Sequence, residues 1–119
     1  MTLVPGKSRL ELFNLRKNIM VKHLILWKLK EEFTTAEKEK IKAGIKAGLE
    51  GLKGIIPGLE YIEVKTSGLP SSNADVMLDS SFTDADALKN YAVHPAHVEV
   101  ADTKVRPFTA QRLCLDFEE

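Results

Sequence analysis

Lys22-His23-Leu24-Ile25-Leu26-Trp27-Lys28-Leu29-Lys30 alternates as an extended chain would, with His23, Ile25, Trp27 and Leu29 on one face and Leu24, Leu26, Lys28 and Lys30 on the other. Both faces are apolar at their centre, which predicts a strand covered on two sides. Next comes Phe33-Thr34-Thr35-Ala36-Glu37, where Thr34 as N-cap and Glu37 three residues on can satisfy each other's exposed amides. The spacing of Ile41, Ile45, Leu49, Leu52 and Ile56 predicts one apolar helix stripe, ended by Pro57-Gly58. Gly44, Gly48 and Gly51 fall inside this helix at about 1 kcal/mol each relative to alanine. They imply close approach to the sheet or room for a ligand, or else a weak helix that is merely tolerated.

Leu59 to Thr66 alternates and is rich in β-branched and aromatic residues, and Ser67 to Asn73 is turn chemistry. Asp75 to Phe82 predicts a third strand, and Thr83-Asp84-Ala85-Asp86 caps a second helix carrying Leu88, Tyr91 and Ala92 inward. That helix stops at His94-Pro95, and Pro95 can open a short helix through Val98, Ala101 and Val105. Arg112 to Phe117 predicts the last strand, with Leu113, Leu115 and Phe117 on one face and Arg112, Cys114 and Asp116 on the other. The order βαββαβ is that of an α+β, ferredoxin-like fold with a four-stranded antiparallel sheet and both helices on one side. Leu24, Leu26, Leu113, Leu115 and Phe117 then share the other sheet face, an apolar set too large to leave in water. Face-to-face packing of two such sheets would bury it, so the chain is expected to form a homodimer with a barrel-like core.

Composition narrows the classes further. With 119 residues, 44% of them hydrophobic, and 17 basic against 17 acidic, the chain is sized for a single core. The charge is unevenly placed: residues 1 to 46 hold eleven basic and five acidic residues, and residues 47 to 119 six and twelve. The basic residues of the first helix are interleaved with Glu31, Glu32, Glu37 and Glu39, a solvated helix face, so no nucleic-acid partner is expected. No apolar run is long enough for a membrane span, and no hydrophobic leader opens the chain. The lone Cys114 cannot build an internal disulfide, and a cytoplasmic setting with no membrane partner is expected.

Three segments together resemble the stress-responsive A/B barrel (Dabb) family of the dimeric α/β barrel superfamily. They are the opening strand Met20 to Ile25, the junction Ile55-Ile56-Pro57-Gly58-Leu59, and Tyr91-Ala92-Val93-His94-Pro95-Ala96-His97-Val98, similar to a Y-x-x-H-P-x-H signature. The resemblance spans residues 20 to 117, taken as the domain, and implies a ferredoxin-like protomer and a dimeric barrel. A plant polyketide cyclase of the family implies roles for Tyr91, His97, His23 and Asp116. The chain departs from that cyclase in a longer first helix, in Ala43, Gly44 and Gly48 where bulky aromatics stand, and in Val76 where a pocket histidine stands. Residues 1 to 19 precede the resemblance; they read either as a short amphipathic helix through Leu10, Leu12, Phe13 and Leu15 or as an extension upstream of a true start at Met20, the preferred reading.

The residues support a chemistry of their own. His97 is a general-base candidate, since an ordinary imidazole is largely neutral near pH 7. Tyr91 can donate a hydrogen bond to a carbonyl oxygen as negative charge develops there. Asp116 is expected to hold one nitrogen of His97 and fix its tautomer. His23, Ile25, Trp27, Val76, Leu78 and Val98 are the expected lining of a pocket for a small hydrophobic carbonyl compound. The chemistry would be cofactor-independent cyclisation, lyase or isomerase reaction by proton transfer. Equally, His94 and Pro95 can serve only to end a helix, and the chain can be a non-enzymatic stress-response or assembly protein with a structural dimer. A metal site from His23, His94 and His97 is disfavoured by the proline stop between the last two, so no metal is expected. Cys114 reads as a small buried hydrophobe.

Overall fold

The computed structural model describes residues 20–119; the expectations for residues 1 to 19 lie outside it. Strand β1 (Val21–Leu29) is followed by helix α1 (Thr35–Glu50), β2 (Leu59–Lys65), β3 (Val76–Phe82), α2 (Ala85–Val93), the short α3 (Pro95–Val100), a π-helical turn (Ala101–Val105), a 3₁₀ turn (Arg106–Phe108) and β4 (Thr109–Glu118). The sheet order is β2-β3-β1-β4, with every neighbouring pair antiparallel. This is the ferredoxin-like arrangement expected from the element order, and it places β1 at the centre.

Local chemistry sets the element ends. At the start of α1 the Glu37 amide donates to the Thr34 hydroxyl at 3.1 Å, and the Thr34 amide to the Glu37 carboxylate at 2.8 Å, a complete capping box. The helix stops at Glu50 rather than running to Ile56. Gly51 caps it, and Gly54 sits at φ +84°, where a right-handed helix cannot continue. Leu52 and Ile56 are nevertheless buried, delivered to the core by turns instead of a helix face. Gly58, at φ +83°, leaves no space for a side chain, since a Cβ there would lie 2.5 Å from the Ala87 Cβ.

Gly48 answers the question posed by the glycines of α1. A Cβ there would stand 2.8 Å from Val100 Cγ1, so this glycine lets α1 lie close against α3, rather than against the sheet or a ligand. At Gly44 the nearest atom to such a Cβ is Lys104 Cδ at 3.8 Å, an ordinary contact, and packing does not require the glycine.

The core lies between the helices and one face of the sheet. Ile25, Trp27 and Leu29 of β1 meet Leu78 and Phe82 of β3 and Ile45 and Leu49 of α1, all buried. On the opposite face the register pairs Leu24 with Leu115, Leu26 with Leu113 and Lys22 with Phe117. Leu26, Leu113, Leu115 and Phe117 are 41, 71, 62 and 39% exposed, the apolar face that the sequence predicts. Beside it Lys22 pairs with Asp79 at 2.5 Å and donates to Ser81 at 3.1 Å, a polar border to the patch.

Strand β4 departs from expectation in one respect. Among the described residues its helix-side face is uncovered, so Cys114 is exposed rather than buried, because α2 packs over β1, β2 and β3 rather than over the edge strand. No described helix is long and apolar enough to cross a membrane.

Candidate active site

A cavity of about 130 Å³ opens between the sheet and the helices. His23, Ile25 and Trp27 of β1 and Leu78 of β3 form its floor, Leu49, Leu88 and Tyr91 its walls, and His97, Ala101 and Val105 its roof. The sheet contributes alternate residues because the pleat points them all one way. The roof is built where α3 widens into the π-helical turn, a local unwinding that sets Ala101 and Val105 over the cavity. Arg106 and Arg112 also line it, and no acidic side chain does among the described residues.

Tyr91 is 1% exposed, and its hydroxyl is buried without a hydrogen-bond partner among the described residues. Its ring is held by aromatic neighbours: His97 at 4.2 Å between centroids and tilted 37°, Phe82 at 4.9 Å edge-on, and His23 at 6.2 Å. Burial pushes the phenol's pKa well above its ordinary value, so the group is a hydrogen-bond donor and not an anion.

His97 Nδ1 lies 3.2 Å from the Ala92 carbonyl oxygen. An oxygen acceptor there requires that Nδ1 carry the proton, which leaves Nε2 as the basic nitrogen. Burial lowers the imidazole pKa below its ordinary 6.5, and the charges of Arg106, His23 and Arg112 lower it further, against the opposing hydrogen bond to Ala92. A neutral base therefore stacks on a neutral phenol donor at one wall of the cavity.

Asp116 meets His23, not His97: its Oδ1 is 2.5 Å from His23 Nδ1. The reason is the register, which sets Asp116 directly across from His23, while His97 rides on α3 with its Nδ1 already taken by Ala92. Cys114 Sγ lies 3.7 Å from the same His23 nitrogen and 3.4 Å from Asp116 Oδ1. Burial, and next the neighbouring carboxylate, push the thiol pKa up.

Of the remaining expected residues, Ile25, Trp27 and Leu78 line the cavity and Val76 and Val98 do not. Val76 is core packing beside Trp27, and Val98, one residue past His97, is half-buried outside the cavity lining. His94 caps α3, its Nδ1 accepting from the Ala96 amide at 3.1 Å, so His23, His94 and His97 do not form a joint site. Leu49, Arg106 and Arg112 escaped the sequence reading of the pocket. Leu49 carried a signal, its place on the helix stripe, and Arg112 another, its parity with Cys114 and Asp116 in the last strand.

The fold and this site define a class: a ferredoxin-like α+β protomer with a small cavity, lined by a tyrosine and two histidines, between one sheet face and its helices. The family model of the Stress Responsive A/B Barrel Domain, Dabb, matches residues 21–119, and the chain belongs to that family. It is 30% identical over 101 residues to olivetolic acid cyclase of Cannabis sativa, a match covering 82% of this chain and 94% of that one. A match to an uncharacterized protein of Streptomyces coelicolor is 36% identical over 80 residues, 66% of this chain and 79% of that one. Among solved structures, a dimeric protein of unknown function and ferredoxin-like fold from Bacteroides fragilis superposes with a TM-score of 0.79 at 32% identity, covering 84% of this chain and 96% of that one.

Proposed function

We propose that the chain acts as a homodimer that binds a small, largely apolar carbonyl compound in this cavity and catalyses proton transfer next to the carbonyl group. The step would lead to cyclisation, elimination or isomerisation. His97 Nε2 takes a proton from the carbon beside the carbonyl, and the Tyr91 hydroxyl donates to the oxygen on which the negative charge develops. Arg106 and Arg112 favour that charge from the cavity mouth, and His23, oriented by Asp116, fixes the ligand from the floor. These transfers use only the chain's own side chains. The observation that carries the reading is the buried Tyr91 hydroxyl, left without a partner in a cavity it shares with a neutral histidine. The cyclase of Cannabis sativa, named for the acid it makes, is a relative whose activity is consistent with this chemistry. The dimeric relative from Bacteroides fragilis and the exposed apolar sheet face support the homodimer.

The test is a screen of aromatic and aliphatic ketones, read by thermal shift and native mass spectrometry, against wild type, Tyr91→Phe and His97→Ala. Stabilisation of the wild type by a ketone, lost in Tyr91→Phe, is the expected result. A screen in which no carbonyl compound stabilises the wild type would favour the non-enzymatic structural dimer.

A further inference from the structure

We propose that His23, Cys114 and Asp116 form a binding site for a single zinc ion, with the fourth coordination position open to solvent. The inference does not rest on the catalytic reading, in which Tyr91 and His97 move the proton, although His23 and Asp116 serve both: His23 reaches from the cavity floor to the inner face of β4. Cys114 and Asp116 are two residues apart on one strand and so project from the same face. Antiparallel pairing sets Asp116 opposite His23 and Cys114 opposite Ile25, so the imidazole reaches both neighbours from the adjacent strand. As a result one imidazole nitrogen, one thiol sulfur and one carboxylate oxygen all lie within 4.8 Å of one another.

The distances discriminate between the uses such a trio can have. In a nucleophilic relay the thiol and the carboxylate address opposite nitrogens of the ring, so that a proton can pass through it. Here both address Nδ1, at 3.7 and 2.5 Å, and the sulfur and oxygen are 3.4 Å apart. Three donors turned toward one point are a ligand set. With zinc bonds of about 2.3 Å to sulfur and about 2.0 to 2.2 Å to nitrogen and oxygen, the edges of a tetrahedron are roughly 3.4 to 3.6 Å. Two of the three separations already match, and the third opens by about 1 Å as a hydrogen bond becomes two metal bonds. The Asp116 side chain is exposed enough to make that movement. A mixed nitrogen, sulfur and oxygen set suits zinc, whereas magnesium and calcium call for oxygen alone.

The open position follows from the fold. No described helix covers this face of β4, and a solvent-open depression bordered by Leu88, Ala92 and Phe117 lies over the three ligands. Three protein ligands plus one free position is the arrangement of zinc sites that accept water or a ligand atom. On binding, the Cys114 proton leaves to solvent and the His23 proton moves from Nδ1, which takes the metal, to Nε2, the nitrogen remote from Asp116. Zinc would thereby turn His23 from an acceptor into a donor on that side of the ring.

The test uses the tag-free, full-length dimer, stripped of metal by a chelator and titrated with Co²⁺ as an optical probe and with Zn²⁺ by calorimetry. One Co²⁺ per chain with a thiolate-to-cobalt charge-transfer band is expected. Cys114→Ser should abolish the band, and both Cys114→Ser and Asp116→Asn should weaken Zn²⁺ binding about tenfold or more while circular dichroism stays unchanged. Absence of the band in the wild type, or Zn²⁺ binding that survives both substitutions, would overturn the proposal.

Discussion

Tyr91 carries a hydroxyl into the core with nothing to bond, and an unpaired buried polar group costs roughly 1 to 3 kcal/mol. Tyr91→Phe removes that cost while preserving the ring contacts with His97 and Phe82, so the free variant should be more stable than wild type by about 1 kcal/mol in urea unfolding. The same variant should lose the thermal shift given by a carbonyl ligand. A group whose removal strengthens the fold and weakens binding is held in place by function. His97 carries a second signature. Its folded-state pKa lies below 6.5, so between that pKa and 6.5 the unfolded chain binds more protons than the folded one. The stability attached to His97 is therefore complete above pH 6.5 and is lost as pH falls through the folded pKa, and His97→Ala should flatten that part of a stability-against-pH curve measured by denaturant titration. Tyr91 and His97 were legible in the sequence because one local segment of seven residues holds both. The contact of Asp116 with His23 was not, since it joins residues 93 apart through a strand register that no local pattern encodes.

Among the elements, α1 offers a matched comparison. Gly44 and Gly48 are four residues apart on one helix, and replacing either with alanine gains about 1 kcal/mol of helix propensity. At Gly44 the nearest atom would be 3.8 Å away and the gain should appear in full; at Gly48 the new methyl meets Val100 Cγ1 at 2.8 Å. Valine is stiff about χ1 and cannot swing aside freely. Gly44→Ala should raise the melting temperature and Gly48→Ala lower it, with Val100→Ala partly restoring the second, all read in one thermal series. The capping box of α1 and the alternation in β1 were plain in the sequence because each is a short-range code. The end of α1 was not, because Leu52 and Ile56 keep helical spacing while reaching the core from turns, and only backbone torsion at Gly54 separates the two cases. The exposure of Cys114 was hidden for a related reason: the strand's alternation names its two faces but not whether a helix extends far enough to cover one of them.

On the scale of the whole molecule, two surfaces of the sheet divide the work. The inner face builds the cavity, and the outer face carries Leu26, Leu113, Leu115 and Phe117 in water in the isolated protomer. Packing this face against a second copy would withdraw it from solvent, and Leu113→Glu would then place a carboxylate in a desolvated seam. Light scattering at micromolar concentration should give a dimer for wild type and a monomer for Leu113→Glu; a monomeric wild type would remove the basis for the dimer. The equal numbers of acidic and basic residues leave no strong self-repulsion against such an association. Proton abstraction by His97 is measured most directly by deuterium uptake into a panel of enolisable, largely apolar ketones in heavy water, followed by NMR at the carbon next to the carbonyl. Wild type should accelerate uptake into at least one ketone, with an acid limb below pH 6.5 and loss of the acceleration in His97→Ala. Uptake no faster than in buffer for every ketone, or equally fast in His97→Ala, would contradict it.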